Sequence, residues 1–370
     1  MLKLTVKKFL PLAAGLALLI VLTAAAPALA DPIAAKKAEA AAVQSQIAGL
    51  NTKAEIATED YNAAKSRYAQ LTTKVHTTEQ QIAKLKKRTG VLQSHLSTRA
   101  NDMYRQGPLG FLSVLLSVRT FENFDATIRI LTSLNEQDAQ TVSELKVAKS
   151  EADQARRTLV AAQTDAGHQK TAMAQNAAAV KTQLAKRKQV LAGLTVEIQT
   201  LIAQQIAAEK AAEQARALAL LQRQREAAAA SRQSASHSGS GDYSGIVLGG
   251  NPPTSSKGAA AVYWAEKQLG KPYVWAATGP GCFDCSGLTM WAYKKVGVSL
   301  SHYSRAQITE GARVSKSNLQ PGDLVFFGSP IHHVGMYVGG GDFIEAPYTG
   351  AHVRITPLSN RHDFAGACRP

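Results

Sequence analysis

The sequence predicts an α+β domain, one cysteine-bearing helix packed on a small antiparallel sheet, carried at the C-terminal end of a long α-helical coiled-coil hairpin. Two observations predict it. Apolar residues recur at alternating four- and three-residue spacing through the N-terminal half. All the Trp and Cys residues lie at Trp264 or beyond, so the C-terminal segment can bury a core of its own, whereas the Ala- and Gln-rich middle can bury apolar surface only by pairing helices.

The hairpin rests on its seam. Val43, Ile47, Leu50, Ala54, Ala57, Tyr61, Ala64, Tyr68, Leu71, Val75, Thr78, Ile82, Leu85, Thr89, Leu92 and Leu96 follow the four-three rule without a slip. At 1.5 Å per residue this run extends about 80 Å. Leu145, Ala148, Ala152, Ala155, Leu159, Ala162 and Ala166 supply a matching second stripe, and Leu191, Leu194, Ile198 and Leu201 resume it. An antiparallel hairpin is the natural pairing, and a parallel dimer is the alternative. Gly107-Pro108 breaks the first helix, and the segment from Leu109 to Phe124 is far more apolar than the coil on either side. An apolar tip near 107–127 is either a packed cap or a docking surface.

The N-terminus reads as an export signal over 1–30. Lys3, Lys7 and Lys8 precede an apolar run, and Ala28-Leu29-Ala30 forms a small-x-small cleavage site. The organisation expected is therefore a signal over 1–30, a stalk over 31–231, a Ser/Gly-rich flexible linker over 232–257 and a folded domain over 258–370. The net charge is +15, and most of it lies upstream of residue 258. A basic stalk outside the cell attracts anionic wall polymers or lipid headgroups, and an exported chain is a poor candidate for nucleic-acid binding.

The C-terminal domain holds the chemistry. A helix is expected over Ala259–Leu269 and another from Cys285 toward Gly297, with Asp284 as its cap. Strands are expected over Asp323–Phe327, His333–Gly339, Asp342–Ala346 and Val353–Thr356. Cys285 thus sits at a helix N-terminus, where exposed N–H groups and the helix dipole favour the thiolate and lower the thiol pKa. His333 is the candidate base. Glu345 follows on the next strand of a hairpin turned by Gly339-Gly340-Gly341, and a three-residue loop makes His333 and Glu345 diagonal neighbours on one face. Nucleophile, base and orienting carboxylate then form one set, in which Glu345→Gln is expected to be a milder change than Cys285→Ala. Other readings of these residues are inert structural roles, a redox pair from Cys282 and Cys285, and a zinc site from Cys282, Cys285, His332 and His333. The redox reading lacks a surrounding βαβ pattern, and the zinc reading lacks the usual paired spacing. No metal or other cofactor is expected.

Four stretches resemble the NlpC/P60 cell-wall peptidases: Gly270-Lys271-Pro272-Tyr273-Val274-Trp275, Phe283-Asp284-Cys285-Ser286-Gly287-Leu288, Gln320-Pro321-Gly322-Asp323-Leu324-Val325-Phe326-Phe327, and His333-Val334-Gly335-Met336-Tyr337-Val338-Gly339. The resemblance covers nearly all of 258–370 in the right order. It implies a papain-like fold, Cys285 as nucleophile, His333 as base and Glu345 as the third residue. It also implies cleavage of the bond between D-isoglutamate and the diamino acid in peptidoglycan stem peptides, with a Cys–His amidase as runner-up. Tyr273 matches a tyrosine near the oxyanion, Asp284 and Ser286 match substrate-contacting positions, and His302 resembles a cleft-lining histidine. One departure is Ala276-Ala277, where the family has Gly-Gly. Cys282 and Cys368 are candidates for a disulfide that leaves Cys285 free, with two unrelated thiols as the alternative. The stalk, with Met103-Tyr104 before Gly107-Pro108, resembles the coiled coils of division-associated wall hydrolases regulated by the FtsE–FtsX membrane complex. A second class of function, a weakly catalytic wall-binding scaffold, is disfavoured by the intact Cys285, His333 and Glu345.

Overall fold

In the computed structural model the described residues are 32–107, 118, 120–235 and 256–370. The expected export signal and most of the apolar tip and linker lie outside them. Helix α1 (Pro32–Gln106) and helix α2 (Phe121–Ala192) run side by side as an antiparallel hairpin. The direction is fixed by cross-helix ion pairs: Arg88 meets Glu144 and, further along α1, Arg99 meets Asp138. Small seam residues make the close approach possible, with Ala54, Ala57, Ala64, Ala148, Ala155 and Ala162 all buried. Thr120 caps α2, its side chain accepting from the Asn123 N–H.

The last part of the stalk departs from the expected single seam. Helix α2 stops at Gly193, and helix α3 (Val196–Ala235) sets off at 116° to it. Ile198 and Ile202 of α3 bury against Ala40 near the start of α1, so Leu194, Ile198 and Leu201 belong to a separate contact rather than to a continued α2 stripe. α3 runs in the same sense as α1 where they meet, with Lys36 paired to Glu197 and Gln44 to Gln205. It also stays helical through Ala235, past the expected start of the linker, as its Ala-, Gln- and Arg-rich composition favours.

The C-terminal unit is an α+β domain. Helices α4 (Lys257–Glu266), α5 (Cys285–Lys294) and the single-turn α6 (Ser304–Gln307) accompany six strands: β1 (Ala312–Val314), β2 (Leu324–Phe327), β3 (His333–Gly339), β4 (Asp342–Glu345), β5 (Arg354–Pro357) and β6 (Phe364–Arg369). The sheet is antiparallel in the order β1-β6-β2-β3-β4-β5. The four expected strands are all present, and β1 and β6 are additional. Strand β2 shows why one face of the sheet holds helices. Leu324 and Phe326 point to a core shared with Leu288 and Ala292 of α5 and Ala261 and Ala265 of α4. Val325 and Phe327 point the other way, to Phe343, Leu358 and Ala367. Both clusters are closed almost entirely by residues of this domain, with Ala217 as a stalk side chain packed against the first. Residues 256–370 therefore carry their own core and fold as a unit.

Candidate active site

Helix α5 places Cys285 at its first position. Asp284 caps it, Oδ1 accepting the Gly287 N–H at 2.6 Å. The residue at 287 has to be glycine, because a Cβ there would stand 2.1 Å from the Ala277 carbonyl oxygen. That carbonyl in turn accepts the Asp284 N–H at 3.0 Å. The loop that delivers it bears the cost of the Ala276-Ala277 departure: Ala276 has φ 57°, the left-handed region where glycine is unstrained.

His333 opens β3 opposite Phe327 of β2, and their rings touch. Strands β3 and β4 pair Met336 with Ile344 and Tyr337 with Phe343. This register sets Glu345 across from Gly335, one diagonal step from His333, as the sequence predicts. The turn differs from the expected three-residue loop. Gly339 pairs with Asp342, so Gly340 and Gly341 alone make the turn, and a bulge between Tyr337 and Gly339 restores the register. All three glycines have positive φ, which suits the tight reversal.

His333 Nε2 lies 2.8 Å from Glu345 Oε2. The other oxygen, Oε1, accepts from Arg354 Nε at 3.0 Å and Thr356 Oγ1 at 2.7 Å. Burial opposes the charge on Glu345, yet the His333 hydrogen bond and the positive charges of Arg354 and Arg361 hold its carboxyl well below the usual range. Glu345 is thus ionised and Nε2 carries the ring proton. Nδ1 is left free of hydrogen bonds and buried. Burial also lowers the His333 pKa, against the Glu345 hydrogen bond, so the ring is neutral and Nδ1 is an available base.

The thiol does not follow the sequence expectation. Burial, then the charges of Glu59, Asp284 and Glu55, push the Cys285 pKa well above its usual value. The helix N-terminus pulls the other way through the Ser286 backbone N–H, as predicted, and is outweighed. Two of the opposing carboxylates belong to the stalk. Residues 51–64 of α1 are buried on two sides, the seam side by α2 and the opposite side by the C-terminal domain.

Glu59, fully buried, reaches the first turn of α5. Its Oε1 accepts from Ser286 Oγ at 2.9 Å and lies 3.7 Å from Cys285 Sγ. Its Oε2 accepts from the backbone N–H of Ser304 and, at 2.6 Å, from Ser304 Oγ. One turn earlier, Glu55 Oε2 stands 3.8 Å from His333 Nδ1. Asn62 Nδ2 donates to Asp284 Oδ2 at 2.9 Å. Tyr61 stands edge-on to Trp275 with ring centroids 5.1 Å apart, and Asp60 pairs with Arg305.

The remaining predicted residues fall around this contact. His302 Nε2 lies 2.9 Å from both oxygens of Asp284, so Asp284 is cap and cleft residue at once. Tyr273 is buried in the cluster that contains Cys285, and burial followed by the nearby Cys285 charge raises its pKa well above normal. Cys282 and Cys368 do not bridge. Cys368 is fully buried on β6, its thiol donating to the Gln307 carbonyl at 3.2 Å, whereas Cys282 is half-buried in the loop before α5. Among the described residues no group of His, Cys, Asp and Glu is arranged to hold a metal. Sequence reasoning missed Glu55, Glu59 and Asn62. Their spacing is a helical stripe opposite the seam, which reads as solvated surface when taken alone. It also missed Ser304, Arg354 and Thr356.

The similarities to known proteins fall in this C-terminal part of the chain. Residues 270–364 match the model of the NlpC/P60 family. A probable endopeptidase of Corynebacterium glutamicum is 51% identical over 107 residues, 29% of this chain and 49% of that protein. A probable endopeptidase p60 of Listeria grayi is 50% identical over 103 residues, 27% of this chain and 20% of that protein. Among solved structures, the NlpC/p60 domain of the peptidoglycan hydrolase SagA is 37% identical, with 30% of this chain and 98% of that one covered at a TM-score of 0.29. The chain thus spans half or less of the length of these curated relatives, and the stalk lies outside the family match. The cysteine helix, the histidine strand and the segments around them, residues 270–364, are a domain of the NlpC/P60 family of cysteine peptidases.

Proposed function

We propose that this protein is a peptidoglycan endopeptidase that cleaves the D-isoglutamyl–diamino acid bond of stem peptides through a Cys285 acyl-enzyme. The observation that carries the reading is the 2.8 Å contact of His333 Nε2 with Glu345, together with an unpartnered Nδ1: an ionised Glu345 holds the proton on Nε2, which leaves Nδ1 to take the Cys285 proton. The thiolate attacks the γ-carbonyl of D-isoglutamate, the C–N bond breaks, and the imidazolium returns its proton to the departing amine. Water, deprotonated by His333, then releases the product acid. Tyr273 and the N–H of Cys285 serve the oxyanion. A D-isoglutamyl group linked through its γ-carbonyl carries a carboxylate on its α-carbon. The Ser286 and Ser304 donors that hold the Glu59 carboxylate beside Cys285 suit such a group.

The signal-like N-terminus supports export and action at the wall. The basic stalk supports attraction to anionic wall polymers. Exposed Met103, Tyr104 and Ile130 on either side of the tip support docking of the coiled coil on a membrane complex of the FtsE–FtsX kind.

The test is digestion of purified wall fragments, with the stem peptides still attached to muramic acid, by residues 256–370, with products identified by mass. Cleavage after D-isoglutamate, lost in Cys285→Ala, is expected. Release of the intact stem from its muramyl lactyl group would instead make the domain an amidase.

A further inference from the structure

We propose that residues 55–62 of α1 are an internal inhibitor of the peptidase, with Glu59 seated in the carboxylate cradle of Ser286 and Ser304 and Glu55 set against the open nitrogen of His333. This deepens the proposed function and rests on Cys285 as nucleophile and His333 as base.

Three observations converge on it. The first is occupancy. Cys285 is only 2% exposed and His333 is 0% exposed, and on the stalk side Glu59 stands 3.7 Å from Sγ and Glu55 3.8 Å from Nδ1. A substrate carbonyl cannot reach Sγ while Glu59 lies 3.7 Å away. The second is complementarity. Five of the cleft groups that the sequence marks as functional face a stalk side chain: Cys285 and Ser286 meet Glu59, Asp284 and His302 meet Asn62, and His333 meets Glu55, with Tyr61 against Trp275 beside them. Chance packing of a stalk would not set polar groups against so many of these positions. The third is charge. A carboxylate beside a thiol opposes thiolate formation, so Glu59 suppresses the nucleophile as well as covering it.

The contact is also one that can be undone. Its buried pairing is imperfect, because Asn62 Oδ1 and His333 Nδ1 find no hydrogen-bond partner, and each orphaned group weakens docking. The peptidase core does not depend on α1, since both of its clusters are closed within 256–370 apart from Ala217 of α3. In sequence, Ala235 and Ser256 are joined by a segment that reaches at most about 70 Å when extended. Withdrawal of α1 therefore opens the cleft without unfolding the domain.

The experiment reads the thiol itself. The full chain, its Glu59→Ala/Asn62→Ala variant, a Lys65→Ala control and residues 256–370 are each treated with iodoacetamide, and labelling of Cys285 is followed by peptide mapping. Cys285 is expected to label at least tenfold more slowly in the full chain and the control than in the double variant and the isolated domain. Equal labelling of full chain and isolated domain would overturn the proposal. So would slow labelling of a double variant whose circular dichroism is unchanged. If that variant loses helical signal, the comparison of full chain with isolated domain decides. A domain that labels readily and cuts no stem peptide would overturn the substrate reading and leave the inhibitor standing.

Discussion

Glu345 presents one oxygen to His333 Nε2 at 2.8 Å and has committed the other to two donors, Arg354 Nε and Thr356 Oγ1. The orientation of any amide placed there is therefore dictated. In Glu345→Gln the carbonyl oxygen satisfies Arg354 and Thr356, and the NH2 turns toward His333. The ring must then accept at Nε2 and carry its proton on Nδ1, where a base is needed. The mild effect expected from sequence alone is replaced by a severe one. Glu345→Gln in residues 256–370 should lower kcat/KM on the order of 10³–10⁴-fold, as wrong-tautomer variants of triads do. Nitrogen-15 NMR of His333 should show the proton moved to Nδ1. A loss below tenfold would show that the tautomer does not limit catalysis.

Docking of α1 should weaken as pH rises. Burial, followed by the charge of Asp284, raises the Glu59 pKa, against hydrogen bonds from Ser304 and Ser286. Burial likewise raises the Glu55 pKa well above normal, with Arg361 opposing and Glu345, Asp363 and Glu59 reinforcing. His333, Cys285, Tyr273, His302 and the Asp60–Arg305 pair also face the contact. A carboxyl whose pKa is higher when docked takes up a proton on docking. The docked state is thus favoured most below the free carboxylate value of about 4.3 and loses that advantage as pH climbs through the raised values. The ratio of Cys285 labelling in full chain to isolated domain should increase with pH, since the ratio cancels ionisation of the thiol. Glu55→Gln/Glu59→Gln should flatten it. A ratio that falls with pH would reverse the sign assigned here.

Ala276 at φ 57° should be improvable. A left-handed alanine costs about 1–2 kcal/mol, part of which glycine gives back through its freer unfolded chain. Ala276→Gly should stabilise residues 256–370 by about 1 kcal/mol in urea unfolding at unchanged m. A destabilised variant would mean that the Ala276 methyl makes packing contacts worth more than the strain.

All three thiols should be open to alkylation once the chain is unfolded. The unreduced, denatured chain should take up three alkyl groups, one for each of Cys282, Cys285 and Cys368. In the native domain Cys368 should be the slowest, since burial pushes its pKa up to about 12. Uptake of a single group would reveal a Cys282–Cys368 bridge.

Periodicity made the stalk and most of the sheet legible in the sequence. The seam of α1 predicts its partner because small and apolar residues recur where two helices touch. The cap Asp284, the nucleophile helix and the His333–Glu345 diagonal follow from local rules of helix ends and strand register. Strand β6 was not legible, because Phe364-Ala365-Gly366-Ala367-Cys368-Arg369 lacks the β-branched run that marks a strand, although β6 lies between β1 and β2. The bend after Gly193 was missed because Leu194, Ile198 and Leu201 keep a helical spacing across it. The stalk carboxylates were missed for a deeper reason. A polar stripe on a helix has the same pattern whether water or a polar cleft covers it, and only the fold distinguishes the two.

Glu59 and Gln106 stand on one uninterrupted helix, about 70 Å apart at 1.5 Å per residue. A slide of α1 along its seam by a single turn moves every one of its residues by about 5.4 Å. That is longer than any of the Glu59 contacts and longer than the Asn62–Asp284 hydrogen bond. Under the proposed inhibition, a one-turn slide of α1 is therefore enough to carry the Glu59 carboxylate clear of the thiol.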